Sequence, residues 1–302
     1  MGAARLALAL VPGEGLAPGL LPGAARARLE LVHHGHPAEA AALTLLGQDA
    51  RRAWSGPAAF AAAAAGRVVR EGETAWLLEP VRVSGDGKAV LEGPLPLGAA
   101  PLADALEHLA PELPAGASIV AGEPSVLVTP GALDGPSTAV AELLPGRGLE
   151  TFLEASPAVR TVVSASAHTC REAGVAATHL VAHSPAGPLV VRPLRDVWPA
   201  VRSAAVVGAT GAARALALLL GVDHAPAAPG GELAVAADAL ARHDVVVVLL
   251  AAPADDLGAL AAAAVVVAAS EPDAEGTVEL AVRGAPAPTD AADPLGRLVA
   301  PR

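Results

Sequence analysis

Apolar residues fall along this chain in two different rhythms. Leu6–Val11 is a continuous apolar run that ends at Pro12 and Gly13, as expected of a strand buried on both faces. Pro37–Leu46 has helical spacing with Gly47 placed to cap it. Pro57–Ala65 predicts an Ala-rich helix with Pro at its start and Gly66 at its end. The texture changes near Gly66. Thr74–Val83 predicts a strand followed by a turn at Ser84–Gly87, and Pro101–Leu109 a short amphipathic helix. Ser118–Ala121 and Ser125–Val128 predict short strands around a Gly-Glu-Pro turn.

From about Leu153 the pattern changes again. Ala204–Val207, Asp244–Ala251 and Ala264–Ala269 predict strands, and Ala212–Leu220 and Glu232–Arg242 predict helices. Strands alternating with helices predict an α/β fold with a mostly parallel sheet flanked by helices. The strand at Leu6–Val11 lacks partners in its own half. The simplest layout is one α/β core built from both ends of the chain, residues 1–65 and 156–302, with a small α+β domain inserted at 66–155.

Composition limits the function classes. The 302 residues are 53% hydrophobic, 17% charged and 2% aromatic, which excludes a disordered chain. A net charge of −11 argues against nucleic acid, whose phosphates need Lys and Arg. One cysteine, Cys170, excludes a disulfide framework and a Cys-based zinc site. Lys, Ile and Gln each occur once, at Lys88, Ile119 and Gln48, and Asn and Tyr are missing. The depleted residues have AT-rich codons, so the bias reads as the imprint of a GC-rich genome. Missing Asn, Tyr or Lys therefore carries little weight, whereas missing Asp, His, Ser or Arg carries more.

The apolar start is too short for a secretion signal, and Val245–Ala269 is broken by Pro253, Asp255, Asp256 and Gly258. That stretch reads as strand, loop, short helix and strand. The expectation is a soluble, cytoplasmic protein with no membrane partner.

Four local signals carry chemistry, each beside a plainer structural reading. Gly208-Ala-Thr-Gly211 follows a strand and opens a helix, where backbone N–H groups can hold a phosphate. It lacks the third Gly and the later acidic residue of a dinucleotide site, so a plain strand-to-helix turn is the alternative. His33, His34 and His36 could join a metal or phosphate site, or form a solvated loop. Asp255-Asp256 follows a strand, where paired carboxylates could hold a hard cation or cap the next helix. Cys170, beside His168 and Arg171, could be a low-pKa nucleophile or a structural thiol.

Read in order, the segments resemble the archaeal-type cofactor-independent (2,3-bisphosphoglycerate-independent) phosphoglycerate mutases, of the alkaline-phosphatase-like metalloenzyme superfamily. Leu43-Thr-Leu-Leu-Gly-Gln-Asp49 with Arg51–Gly56 is similar to the family's LSLLGYDP stretch and the turn after it. Gly66–Trp76 and Val83–Gly87 resemble the passage into the inserted domain. Arg171–Gly174 and Ala177–Pro188 resemble a later R..G..AN.IW.WG.G..P segment. Ala204–Gly221 resembles AVDLVKGIARLLG, and Asp244–Pro253 resembles the strand before the metal-binding DEAGH motif. The resemblance is discontinuous but colinear, and it spans nearly the whole chain. It implies an alkaline-phosphatase-like core with an inserted lid-type domain and two metals, Mn²⁺ or Mg²⁺. The implied reaction interconverts 3-phosphoglycerate and 2-phosphoglycerate through a phosphoserine.

At the functional positions the chain departs from that pattern. The first metal-binding Asp falls on Glu14, beside Gly15, and the nucleophilic Ser on Ala38, with Glu39 at the neighbouring acid. The Arg and Glu of GRGPLEA fall near Pro57 and on Ala61. The Asp and Lys of AVDLVKG fall on Gly211 and Arg214. The Asp of DEAGH falls on Ala254 or Asp255, and its His near Gly258. The late DHP motif falls on Ser270-Glu271-Pro272, and the last ligand His on Val282 or Arg283. Arg171 is the substrate-binding candidate that the resemblance implies, and Glu14, Asp255 and Asp256 are the vestigial metal candidates. The expectation is a mutase-like protein that has lost its nucleophile and metal ligands and binds a small phosphorylated ligand or a protein partner. The alternatives are an enzyme with altered phosphoryl-transfer or hydrolase chemistry, and a nucleotide-binding protein using the Gly208–Gly211 turn.

Overall fold

The computed structural model describes residues 5–13, 15–31, 38–49, 54–93, 95, 99–131, 146, 148–150, 156–289 and 295. In chain order its elements begin with β1 (Leu6–Val11), β2 (Ala25–Glu30), α1 (Ala38–Leu45), α2 (Pro57–Ala64), β3 (Glu73–Val83) and β4 (Val90–Glu92). There follow α3 (Ala99–Leu109), β5 (Ser118–Val120), β6 (Ser125–Pro130), α4 (Pro157–Glu172), β7 (His179–Ala186) and α5 (Leu194–Val197). The chain continues with β8 (Ala204–Gly208), α6 (Gly211–Leu220), β9 (Asp223–Pro226), α7 (Glu232–Leu240), β10 (Val245–Leu249), β11 (Val265–Ser270) and β12 (Thr277–Arg283). No helix among the described residues is long and apolar enough to cross a membrane. The stretch 245–269 is strand, loop, short 3₁₀ helix (Gly258–Leu260) and strand.

The chain divides into two compact units, one of Met1–Trp54 with Val190–Arg302 and one of Ser55–Leu189. The first unit holds a seven-stranded sheet in the order β2-β12-β11-β1-β10-β8-β9. β1 pairs in parallel with β10 and β11, β10 with β8, and β8 with β9. β12 and β2 complete one side in antiparallel fashion. The sheet is therefore mixed and mostly parallel, as the alternation of elements predicts. Its central strands are buried runs of Ala, Val and Leu, because helices cover both faces of a parallel sheet. On one face Ala7, Ala9, Val246, Val248 and Val266 pack with Ala236, Ala239 and Leu240 of α7.

Close packing here depends on small residues. A Cβ on Gly208 would stand 2.7 Å from the Ala213 Cβ and 3.3 Å from the Leu249 Cβ. The missing side chain lets α6 descend onto the end of β8.

The second unit is an antiparallel sheet, β4-β3-β6-β5, with β7 on β3. Its two faces alternate along the strands. Ala75, Leu77, Val126 and Val128 pack on Ala58, Ala59 and Ala62 of α2. Trp76, Leu78 and Leu127 pack with Val159, Val162, Val163 and Cys170 of α4. This explains why the unit is wider than the 66–155 expected from the sequence. Helices α2 and α4 each cover a face of its sheet, and β7 is one of its strands.

Several elements carry weak sequence patterns. β2 reads Ala-Arg-Ala-Arg-Leu-Glu and lies exposed at the sheet edge, where charge discourages further pairing. β9, Asp-His-Ala-Pro, is the other edge. The apolar stripe of α4 is diluted by Ser, Thr and Ala, although the helix has a clear start. Ser156 accepts the Val159 N–H at 3.1 Å, and Pro157 opens the first turn.

The second unit also buries an imidazole. The His183 side chain is 1% exposed, with Nδ1 2.9 Å from Ser184 Oγ and Nε2 3.9 Å from Glu79 Oε1. Nε2 is buried without a hydrogen-bond partner. Burial lowers the His183 pKa to about 4 and raises that of Glu79.

Two predictions follow from this packing. Gly208→Ala forces α6 outward and lowers the unfolding free energy by about 1–3 kcal/mol, measurable by chemical denaturation. The unfolded chain protonates His183 near 6.5 whereas the folded chain resists to about 4, so stability falls as pH drops between those values. By pH 4.5 the His183 contribution amounts to a loss of about 2–3 kcal/mol. Glu79 works in the opposite sense, because acid relieves the burden of burying its charge. Denaturant titrations from pH 7 to 4.5 should show a steeper decline in the native chain than in His183→Leu.

Candidate functional site

The parallel strands of the first unit point their carboxyl ends at one cavity of about 150 Å³. In open α/β sheets this is the side on which ligands bind. Leu10, Val11 and Pro12 reach it from β1, Leu249 and Leu250 from β10, and Ser270 and Glu271 from β11. Ala38, Ala41, Ala42 and Leu45 present one stripe of α1, since residues three, four and seven apart share a helix face. Thr210, Ala212 and Leu216 of the α6 start close the other side.

Backbone geometry fixes this rim. Gly13 turns the chain after β1 with φ of 105°, a conformation in which a side chain is strained. Its N–H donates to Glu271 Oε2 at 2.9 Å, and the Glu271 N–H donates back to the Gly13 carbonyl at 3.0 Å. The loop after β1 is thus tied to the loop after β11. The Ser270 hydroxyl donates to the Glu271 carbonyl at 2.9 Å and accepts the Glu279 N–H at 3.0 Å. That hydroxyl serves the fold. Glu279 in turn accepts the Leu16 N–H at 3.1 Å and pairs with Arg26 at 2.5 Å. Thr210 starts α6 without a side-chain capping bond. Glu39 lies in the first turn of α1, where the helix dipole favours a carboxylate.

Ala38, Glu39, Ser270 and Glu271 meet here from distant parts of the chain, and Thr210 and Ala212 flank Gly211. These are positions that the sequence resemblance singles out. The described walls are alkyl groups, and the described polar side chains are two carboxylates and two hydroxyls. No Lys, Arg, His or Cys is among the described lining residues. Ala38 offers no atom that can accept a phosphoryl group.

Two of the metal candidates, Asp255 and Asp256, are not among the described residues that line the cavity. Among the described residues no three His, Cys, Asp or Glu side chains are placed to hold one ion. The described residues therefore do not fit a two-metal centre, which needs several Asp and His ligands around each ion. Asp255 and Asp256 are exposed. Asp256 Oδ1 accepts the Gly258 N–H two residues on, and the 3₁₀ turn that follows has Leu257 at its N-cap with no side-chain capping bond. Glu14, His33, His34 and His36 lie outside the described residues.

Other candidates find structural explanations. Cys170 is fully buried on α4, and burial pushes its thiol up to about 11, so it is not a ready nucleophile. Its neighbour His168 is exposed and contacts Glu172, with Nε2 and Oε1 3.1 Å apart. Arg171 is exposed in the last turn of α4, in the second unit, where a cation complements the helix dipole. The Gly208–Gly211 turn joins β8 to α6, and the contacts of Gly208 account for its missing side chain. Val282 is buried inside β12, and Arg214 is exposed on α6. Sequence reasoning did not single out Thr210 or the apolar stripe of α1. Both flank positions marked by the resemblance, and Ala spacing at 38, 41 and 42 was the available signal.

No family model matches the chain, and no curated protein matches it. Solved structures do. A cofactor-independent phosphoglycerate mutase from Thermoplasma acidophilum superposes with a TM-score of 0.54 at 17% identity, over 92% of this chain and 89% of that one. The PH0037 protein from Pyrococcus horikoshii superposes with a TM-score of 0.61 at 15% identity, over 96% of this chain and 90% of that one. The chain thus shares the fold of these two proteins, a mostly parallel α/β unit with a second, antiparallel unit inserted in its sequence.

Proposed function

We propose that this chain keeps a phosphoglycerate-mutase-like fold without mutase chemistry, and that its cavity serves to bind a small ligand. One observation carries this reading. The cavity at the strand ends presents the Ala38 methyl where the resemblance places the nucleophilic hydroxyl, and apolar groups surround it. Phosphoryl transfer through a covalent intermediate needs an acceptor atom and positive charge beside the developing phosphoryl charge. The described lining supplies no cation, and its carboxylates Glu39 and Glu271 repel a phosphate. Loss of a nucleophile alone removes several orders of magnitude in rate.

A second reading, altered phosphoryl-transfer or hydrolase chemistry, draws on Thr210. Its hydroxyl borders the cavity and makes no capping bond. Glu39 and Glu271 line the same cavity and are the described carboxylates that could serve it as a base.

The test is direct. With 3-phosphoglycerate and Mn²⁺ or Mg²⁺, the protein should yield no 2-phosphoglycerate above a protein-free control in ³¹P NMR. Ala38→Ser restores a hydroxyl but no cation or metal ligands, so it should remain equally silent. Turnover by the native chain contradicts the reading. A panel of phosphate esters, tested on the native chain and on Thr210→Val, separates the second reading. Hydrolysis that depends on Thr210 would establish it.

A further inference from the structure

We infer that the cavity takes a small organic cation with an apolar body of about six heavy atoms, a branched alkylammonium in kind. This rests on the reading of the cavity as a binding site rather than a mutase centre.

Size sets the first limit. A protein cavity of about 150 Å³ accommodates a molecule the size of benzene. The walls set the second limit. Ala38, Ala41, Leu45 and Leu216 offer contact to hydrocarbon and no hydrogen bonds.

Charge sets the third. Glu39, half-buried, and Glu271, exposed at the rim, are the charged groups in the described lining, and among the described residues neither is paired with Lys or Arg. Glu271 uses Oε2 for the Gly13 N–H, which leaves Oε1 for a donor from a ligand. An ammonium group is complementary to both carboxylates, and its N–H donors form charge-assisted hydrogen bonds. The Ser270 hydroxyl is already committed to backbone partners, so the carboxylates and Thr210 provide the recognition. The chain's net charge of −11 draws cations toward it and holds anions away.

The experiment is calorimetric titration of the full chain with three isosteric probes and an ion: 3-methylbutylammonium, 3-methylbutanol, 3-methylbutanoate and inorganic phosphate. The ammonium should bind about tenfold or more tightly than the alcohol, because it adds a full positive charge facing the two carboxylates. The carboxylate and phosphate should give no saturable heat. Glu39→Gln and Glu271→Gln should each lower ammonium affinity severalfold and lower the alcohol's affinity by less. In Glu271→Gln the amide oxygen still accepts the Gly13 N–H, so the rim is preserved. Ala38→Leu, at a partly exposed helix position, should fill the cavity and remove binding of both alcohol and ammonium. Its circular dichroism spectrum and unfolding midpoint should match the native chain. The proposal is overturned by equal or tighter binding of the alcohol, the carboxylate or phosphate, by absence of binding of every probe, or by glutamate variants that behave as native. Those results leave the mutase question untouched. Phosphoglycerate turnover would defeat the underlying reading whatever the probes do.

Discussion

The structure depends on the seating of β1 between β10 and β11. A strand from the start of the chain is inserted between two from its last sixty residues, with Leu6 opposite both Val245 and Val265. This long-range parallel pairing brings the ends of the sequence into one sheet. It also aligns the carboxyl ends of three strands at one edge of the unit. The cavity exists because those strands stop together and the chain turns away at Gly13, Leu250 and Glu271. A strand so placed has no exposed face and no free edge, so Ala, Val and Leu are the residues that fit it.

The small residues extend the same constraint outward. Gly208 lets α6 approach β8 and Leu249, and the Ala stripe of α1 borders the opposite wall. The rim is then fixed by backbone and carboxylate hydrogen bonds that run from Gly13 through Glu271 and Ser270 to Glu279 and Arg26. Several of the polar groups at the strand ends hold loops in place. The fold is one that a cofactor-independent phosphoglycerate mutase also has, and the described lining of its strand-end cavity is apolar and acidic.

The strands that make this scaffold were plain in the sequence because a strand buried on both faces must be a continuous apolar run. Leu6–Val11, Val245–Leu249 and Val265–Ser270 are such runs. Edge strands obey a weaker rule. In β2 the charges of Arg26 and Arg28 guard an open edge, and they hide the strand from a search for apolar alternation. The position of the cavity was legible at Ala38 and Ser270-Glu271 through the order of the resembling segments and not through the residues themselves. A methyl group carries no chemical signature, so Ala38 has meaning only against the pattern it departs from. Asp255-Asp256 and Cys170 are conspicuous in the other direction. Their chemistry shows in one dimension, while a hydrogen bond within a loop and burial, which are properties of the folded chain, describe Asp256 and Cys170 here.

The central proposal is that the strand-end cavity serves apolar binding rather than mutase chemistry. Equilibrium dialysis against Mn²⁺ tests it most directly, since a working mutase-type centre holds two ions per chain. The account predicts no saturable uptake, with bound Mn²⁺ no greater for the native chain than for Glu39→Gln. Retention of two equivalents per chain would contradict it.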